Sequence, residues 1–441
     1  MNQQTFREGI VSVSITHVLV FIFGFIMSIL NARLLGPEGL GMLALLRSLQ
    51  LFSVRITDFG FGRALRYYSA NGEISYSYLK KNVLQLGFLI GIIVLLISML
   101  LKYIPINIWN DIELTIYLLF LPTIFFMVLT MYLRHLLHGQ LLINYVNIST
   151  ILERVSYILL FLLFVWYLDL GMKGVAIALS ISSFILFLQL VLRAKKHEKS
   201  TSENRGTHNS YKMIKKLWSY GQWSYYSSIM DYLINNFPIL YLKSSIGAFS
   251  EIGFFSKARG LAEYPRTTAV PVSGLLFSFN ASSLKGIANN RTDTICRISF
   301  VIVTVFYIIL SIFIKPIISF FYGDDFLPAA EIFYYLYPSV VFYMQSLFLS
   351  SAIAAKGFNK ETFTIRLKSL PLIVIVGYFL ITYQGTLGAA ITVSFSATLL
   401  WFQYARKYFN LLDSNFNRIL LLRKQDIHLL KNVFFKVLRK K

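Results

Sequence analysis

The sequence predicts an all-α polytopic membrane protein: about twelve transmembrane helices in two pseudo-symmetric six-helix lobes around a central cavity. Three observations lead there. Only 14% of the 441 residues are charged, against about 25% in soluble chains, and the mean hydropathy is +0.62. The apolar residues come in runs of about 18 to 25, long enough to cross roughly 30 Å of hydrocarbon as helices and too continuous for the alternating strands of a barrel. One short motif also recurs about half a chain apart.

The spans of the first half fall near 9–34, 40–68, 79–102, 112–138, 144–168 and 173–193. Those of the second fall near 216–242, 250–279, 294–314, 327–355, 362–383 and 386–405. No small-residue cleavage pattern follows the first run, so it reads as a retained span rather than a signal peptide. This organises the chain as an N-terminal lobe (1–193), a basic linker (194–215, "AKKHEKSTSENRGTHNSYKMIK"), a C-terminal lobe (216–408) and a basic tail (409–441).

Charge sets the orientation. By the positive-inside rule the linker is cytoplasmic. Arg63, Arg66, Lys80 and Lys81, then Lys285 and Arg291, then Lys356 and Lys360 fall on the same side, and the opposite loops hold only scattered cations such as Lys102, Lys173 and Lys315. Both termini then lie on the cytoplasmic side of the membrane. In the tail, Leu430, Val433, Phe434, Val437 and Leu438 share a helical face with lysines and an arginine between them, the pattern of an amphipathic helix on a lipid surface. The net charge of +22 is accounted for by cytoplasmic loops and anionic lipid heads, without nucleic acid as a partner. A single cysteine, Cys296, excludes a disulfide framework.

The recurring motif is "GPEGLGMLALLR" from Gly36 to Arg47, matched by "GAFSEIGFFSKAR" from Gly247 to Arg259. Gly41 precedes Arg47 by six residues, as Gly253 precedes Arg259, and Gly36 matches Gly247 after a one-residue gap. Glu38 and Glu251 suit helix starts, and Pro37 suits a first helical turn. Halves that both begin inside are parallel repeats, and transporters place substrates between such repeats.

The Gly-Pro-Glu-Gly-Leu-Gly turn and "GFFSKARGL" resemble the polysaccharide-exporter branch of the multidrug/oligosaccharidyl-lipid/polysaccharide flippase superfamily, with its Wzx-like O-antigen and capsule-unit flippases. The resemblance extends over essentially the whole chain. It implies an inner-membrane carrier that moves undecaprenyl-diphosphate-linked oligosaccharides to the periplasmic leaflet by alternating access. It also implies membrane lipids, a polysaccharide polymerase and chain-length machinery as partners.

The residues lead to a compatible reading on their own. Ionisable groups inside spans cost several kcal/mol and face protein or water. Span two carries Arg47, Arg55 and Asp58; span five the adjacent Glu153 and Arg154; span seven Asp231; span eight Lys257, Arg259, Glu263 and Arg266; span one His17. Guanidinium forks match phosphate oxygens in pairs. Arg47, Arg259, Arg55, Arg266, Arg154 and Lys257 are therefore the candidate substrate contacts, with Arg47 and Arg259 foremost because the repeat puts one on each lobe. Trp223, Tyr225, Tyr226 and Tyr232 offer surfaces for sugar. Structural roles compete at each point. Lys257 suits snorkelling, Arg55–Asp58 a helix–helix pair, Glu153–Arg154 an interlobe lock, His17 helix packing, and the aromatics an interfacial belt.

No phosphate-binding GxxxxGK[ST] loop, metal-ligand spacing or hydrolytic triad is visible, so no cofactor and no enzyme activity are expected. His135 and His138 read as surface residues. A drug or metabolite antiporter of the same superfamily is the alternative, but it would favour carboxylates where this chain has arginines. A membrane polymerase would need a large outer loop. Energy could come from the membrane potential, or from proton or sodium antiport through Asp58, Glu153, Asp231 or Glu263.

Overall fold

Gly36 decides how the chain begins. As one straight rod, α1 (Phe6–Thr57) would run about 78 Å at 1.5 Å per residue, over twice the hydrocarbon thickness. At Gly36 the backbone turns to φ 65° and ψ −176° and splits the rod into two crossings. The computed structural model describes residues 6–71, 76–104, 108–109, 111–200, 210–282, 285–412 and 414–426. Among them α1 is followed by α2 (Phe61–Asn71), α3 (Tyr76–Leu101), α4 (Leu114–Gly139), α5 (Ile143–Phe161), α6 (Gly171–Ser200) and α7 (Ser210–Ile246). Then come α8 (Phe249–Ala262), α9 (Tyr264–Ser282), α10 (Lys285–Tyr322), α11 (Pro328–Tyr335), α12 (Tyr337–Ala355), α13 (Asn359–Leu412) and α14 (Phe416–Leu420).

Eight stretches among the described residues are long and apolar enough to cross a membrane. Two of them hold two crossings each: α1, and α13, which Gly385 (φ 58°, ψ −124°) breaks as Gly36 breaks α1. α7, and α8 with α9, complete the twelve. They are less apolar because they carry the charges from Asp231 to Arg266. The chain is thus a multi-pass, all-helical membrane protein. Outward apolar side chains on α3 (Phe88, Leu89, Ile93, Leu96, Ile97) and α10 (Ile308, Ile312, Phe313) are exposed, as lipid-facing positions should be.

Contacts divide the chain into two units: Met1–Tyr232 with Ile246–Gly253, and Leu233–Ser245 with Phe254–Lys441. The boundary therefore falls within α7 and α8, not at the basic stretch. The first half of α7 packs on α1, where Tyr225 Oη donates to the Ile56 carbonyl at 2.9 Å and Tyr232 Oη to the Ser48 carbonyl at 2.9 Å. Of the expected linker, 194–200 continue α6 and 210–215 open α7; 201–209 lie outside the described residues.

α4 forms the centre of the first unit. Tyr117, Phe120, Ile124, Val128, Leu133, Leu136 and Leu137 are fully buried against α3, α6 and α2. Gly87 and Gly91 on α3 leave room for the rings of Tyr132 and Phe125. In the second unit α12 packs along α13, pinned by Trp401 Nε1 donating to Gln345 Oε1 at 2.8 Å. Cys296 on α10 has no exposed surface.

Three boundaries differ from the sequence reading. The second span is interrupted at 58–60, where Phe59 (φ 45°) and Gly60 (φ 72°) take left-handed backbone, and resumes as α2 alongside the end of α4. The eighth span is two helices, α8 and α9, meeting at Glu263. The tail does not begin as a free helix: Arg297, 4% exposed, grips Asp426, 1% exposed, through Nε to Oδ2 at 2.6 Å and Nη2 to Oδ1 at 3.0 Å. The amphipathic positions Leu430 to Leu438 lie outside the described residues.

Candidate substrate site

In the first unit, α1, α4 and α5 bring charge together. Arg47 on α1 donates through Nη1 to Gln50 Oε1 at 3.1 Å, and its guanidinium overlies the Tyr157 ring at 5.7 Å. It also lies within the field of Arg154 and Glu153. Arg134 on α4 shares the field of the same two residues and reaches Thr150 Oγ1 at 3.4 Å. Arg154 Nε stands 3.8 Å from Glu153 Oε2, an ion pair too long for a hydrogen bond. Sequence reasoning found Arg47, Glu153 and Arg154 but missed Arg134 and Gln50. Arg134 sits in the last two turns of α4, and the sequence reading assigns cations near span ends to the positive-inside rule.

The remaining candidates of this unit have local partners. Arg55 Nη1 donates to Ser228 Oγ at 2.8 Å. Asp58 Oδ1 accepts from the Gly62 backbone at 3.1 Å and so caps α2. His135 is not a free surface residue: its Nδ1 accepts from Arg66 Nε at 3.0 Å, and its ring lies against Gly62. Asp231 is half-buried on α7; the side chain of His17 lies outside the described residues. Tyr225 and Tyr232 face α1 through their hydroxyls, whereas Trp223 and Tyr226 contact each other edge-on at 6.3 Å, with the Trp223 side more open.

In the second unit two of the candidates converge on one carboxylate, Glu263. Arg259 Nε donates to Glu263 Oε1 at 2.7 Å and its Nη1 to the Asn235 carbonyl at 2.6 Å. Arg266 Nη1 reaches the same Glu263 oxygen at 3.1 Å and stacks on the Tyr343 ring at 3.5 Å. Lys257, 5% exposed, points its ammonium at the Tyr322 ring from 3.9 Å, a cation–π contact rather than a snorkelling pose. Arg47 and Arg259, equivalent by repeat, thus have different surroundings: Glu263 bonds directly to Arg259, while no carboxylate does so to Arg47 among the described contacts. Among the described residues no group of three or more His, Cys, Asp and Glu could hold a metal ion.

The polysaccharide biosynthesis protein family model matches residues 6–277, more than half the chain. No curated protein matches the sequence. Among solved structures, an inward-facing multidrug resistance MATE family transporter of the MOP superfamily is similar with a TM-score of 0.71 at 14% identity, over 92% of this chain and 99% of that one. The lipid II flippase MurJ in an inward closed conformation is similar with a TM-score of 0.70 at 14% identity, over 97% and 92%. A MOP superfamily transporter from Pyrococcus furiosus, whose binding pocket is described as having reverse polarity, is similar with a TM-score of 0.65 at 14% identity, over 92% and 97%. At these identities the likeness is one of fold.

Proposed function

The chain belongs to the polysaccharide biosynthesis protein family, the polysaccharide-exporter branch of the MOP superfamily, and from that premise we propose that it is a flippase for undecaprenyl-diphosphate-linked oligosaccharides. It takes the lipid-linked unit at the cytoplasmic leaflet of the inner membrane and releases it at the periplasmic leaflet by alternating access, for O-antigen or capsule assembly. Both termini are cytoplasmic, and a polymerase and chain-length machinery take over the product.

The observation that carries this reading is the excess of guanidinium over carboxylate around Arg47 inside a membrane-spanning unit of a chain from this family. Buried cations are costly in hydrocarbon. An arginine kept there without a bonded carboxylate is suited to an anionic cargo, and a diphosphate joined to an isoprenoid supplies one. The glycan travels with the head while the isoprenoid stays in lipid.

Deletion of the gene tests it. The mutant should accumulate lipid-linked repeat units on the inner leaflet and lose surface glycan. Normal surface glycan without accumulation would remove the proposal.

A further inference from the structure

After α13 the second unit folds the chain back on itself. Ser414 Oγ stands 3.0 Å from both carboxylate oxygens of Asp293. Arg297 donates through Nη1 to the Arg418 carbonyl and through Nε and Nη2 to Asp426. Ile419 on α14 is fully buried. Residues 414–426 therefore form a strap tied across the start of α10. That helix carries no charge from Ile298 to Ile314, so the strap lies where the hydrocarbon begins rather than out in water.

The outer side of the strap mixes apolar surface with cations. Phe416 packs among Trp401 at 5.8 Å, Phe402 at 6.1 Å and Phe409 at 4.7 Å. Phe402 is 49% exposed, so the lipid-facing flank of α13 continues onto the strap without a break. Leu421 follows, 60% exposed, with Leu422 exposed beside it. An apolar surface at a membrane boundary, framed by cations, is the pattern that inserts into the headgroup layer. Here the frame is Arg418, Arg423 and Lys424 on the strap and Arg406 on α13, all exposed. Arg406 lies one helical turn from both Phe402 and Phe409, on their face of the helix. Of the two carboxylates between 402 and 426, Asp426 is held by Arg297 and Asp413 lies outside the described residues.

From this geometry we infer a site for an anionic phospholipid in the second unit. Arg406, Arg418, Arg423 and Lys424 donate to the phosphate diester of its head, and its acyl chains run along Leu421, Phe416 and Phe402. The lipid is a component of the bilayer and not the cargo, so the inference stands apart from the flippase reading. Cations alone attract any anion, and apolar side chains alone attract any hydrocarbon. Leu421, Leu422, Arg423 and Lys424 are consecutive, and their neighbour on the protein must offer both in one molecule. The Arg297–Asp426 pair is the positioning element: it holds these four residues against α10 instead of letting them trail into water.

Isothermal titration of the purified full chain in detergent tests this, with dioctanoyl phosphatidylglycerol as probe and dioctanoyl phosphatidylcholine for comparison. Wild type should bind the anionic lipid about tenfold more tightly than the zwitterionic one, and Arg423→Gln with Lys424→Gln should lose about fivefold of that affinity. Lys195→Gln with Lys196→Gln removes the same charge from exposed positions near the end of α6 and should match wild type. Leu421→Ser should weaken binding of both lipids. Asp426→Asn keeps every cation but loosens the strap, and should weaken phosphatidylglycerol binding. If it does not fold, Ser414→Ala, which cuts one tie only, should shift affinity in the same direction by less. Equal affinity for the two lipids in wild type, or an equal loss in the α6 control, would overturn the site. Glycerol 3-phosphate binding as tightly as the lipid would also overturn it, by reducing it to a patch for free anions. So would a loss confined to Lys431→Gln with Lys436→Gln, which would move lipid binding to the end of the tail.

Discussion

A Cβ on Gly41 would stand 3.0 Å from the Gly253 backbone nitrogen and 2.8 Å from the Phe249 carbonyl carbon, and a Cβ on Gly253 would stand 2.8 Å from the Pro37 carbonyl carbon. The two copies of the duplicated motif therefore meet backbone to backbone, each glycine clearing space for the other copy's start. Gly41→Ala and Gly253→Ala should each force this approach apart at about 1–3 kcal/mol, the usual cost of overpacking. Thermal melting of the purified protein should fall for both. Gly260→Ala, where a Cβ meets nothing within 4 Å, should hold or slightly raise the melting temperature. Equal melting for all three would contradict the close approach.

The two repeat-related arginines should separate functionally. Arg47→Ala is expected to abolish surface glycan with membrane protein levels intact, and Arg47→Lys to keep part of the activity if charge outweighs fork geometry. Arg259→Ala should lower the amount of folded protein, since it takes a partner from Glu263 and two hydrogen bonds from Asn235. With side chains 16% and 28% exposed, the pair is worth about 1–2 kcal/mol rather than the full cost of breaking a buried one. Quantitative immunoblots beside a glycan assay read both. Wild-type glycan in Arg47→Ala would remove that residue from the cargo path.

Asp426 predicts an acid limb to stability. Hydrogen bonds from Arg297 hold its carboxyl below the ordinary range. A carboxyl depressed in the folded state contributes stability above its unfolded pKa, about 3.9, and that contribution is lost as pH falls through the depressed value. Melting temperature should therefore fall on acidification below about pH 4. Asp426→Asn should be less stable at neutral pH and flatter in acid. Parallel pH curves for the two proteins would count against the pairing.

An anionic head moving outward runs with the membrane potential, at about 2.3 kcal/mol per charge per 100 mV. Proteoliposomes with imposed potentials should flip faster when the receiving side is positive. Equal rates under both signs would exclude the potential as a driving force and favour ion antiport.

Much of the scaffold was legible in the residues, because membrane crossing imposes length and hydropathy on every span. The one-residue gap aligning Gly36 with Gly247 also pointed to a shared break, and both glycines take positive φ, 65° and 80°. The turn at Phe59 and Gly60 was not legible, since Phe59 has no side-chain reason to adopt φ 45°; tertiary contact with Gly221 fixes it. Nor could spacing tell which arginine has a carboxylate partner. Arg259 and Glu263 are a helical i, i+4 pair and could be seen, but whether Arg47 bonds a carboxylate depends on α5, more than a hundred residues away. Arg134 was hidden by a rule that explains arginines near span ends in bulk and says nothing about one of them individually.

Cys296 has an experimental consequence. Because it is the chain's one thiol and has no exposed surface, the wild-type protein should stay dark to maleimides in intact membranes. A cysteine introduced at Arg66 or Trp223 could then be labelled from one side at a time against the native background, turning accessibility during a transport cycle into a single-site optical readout.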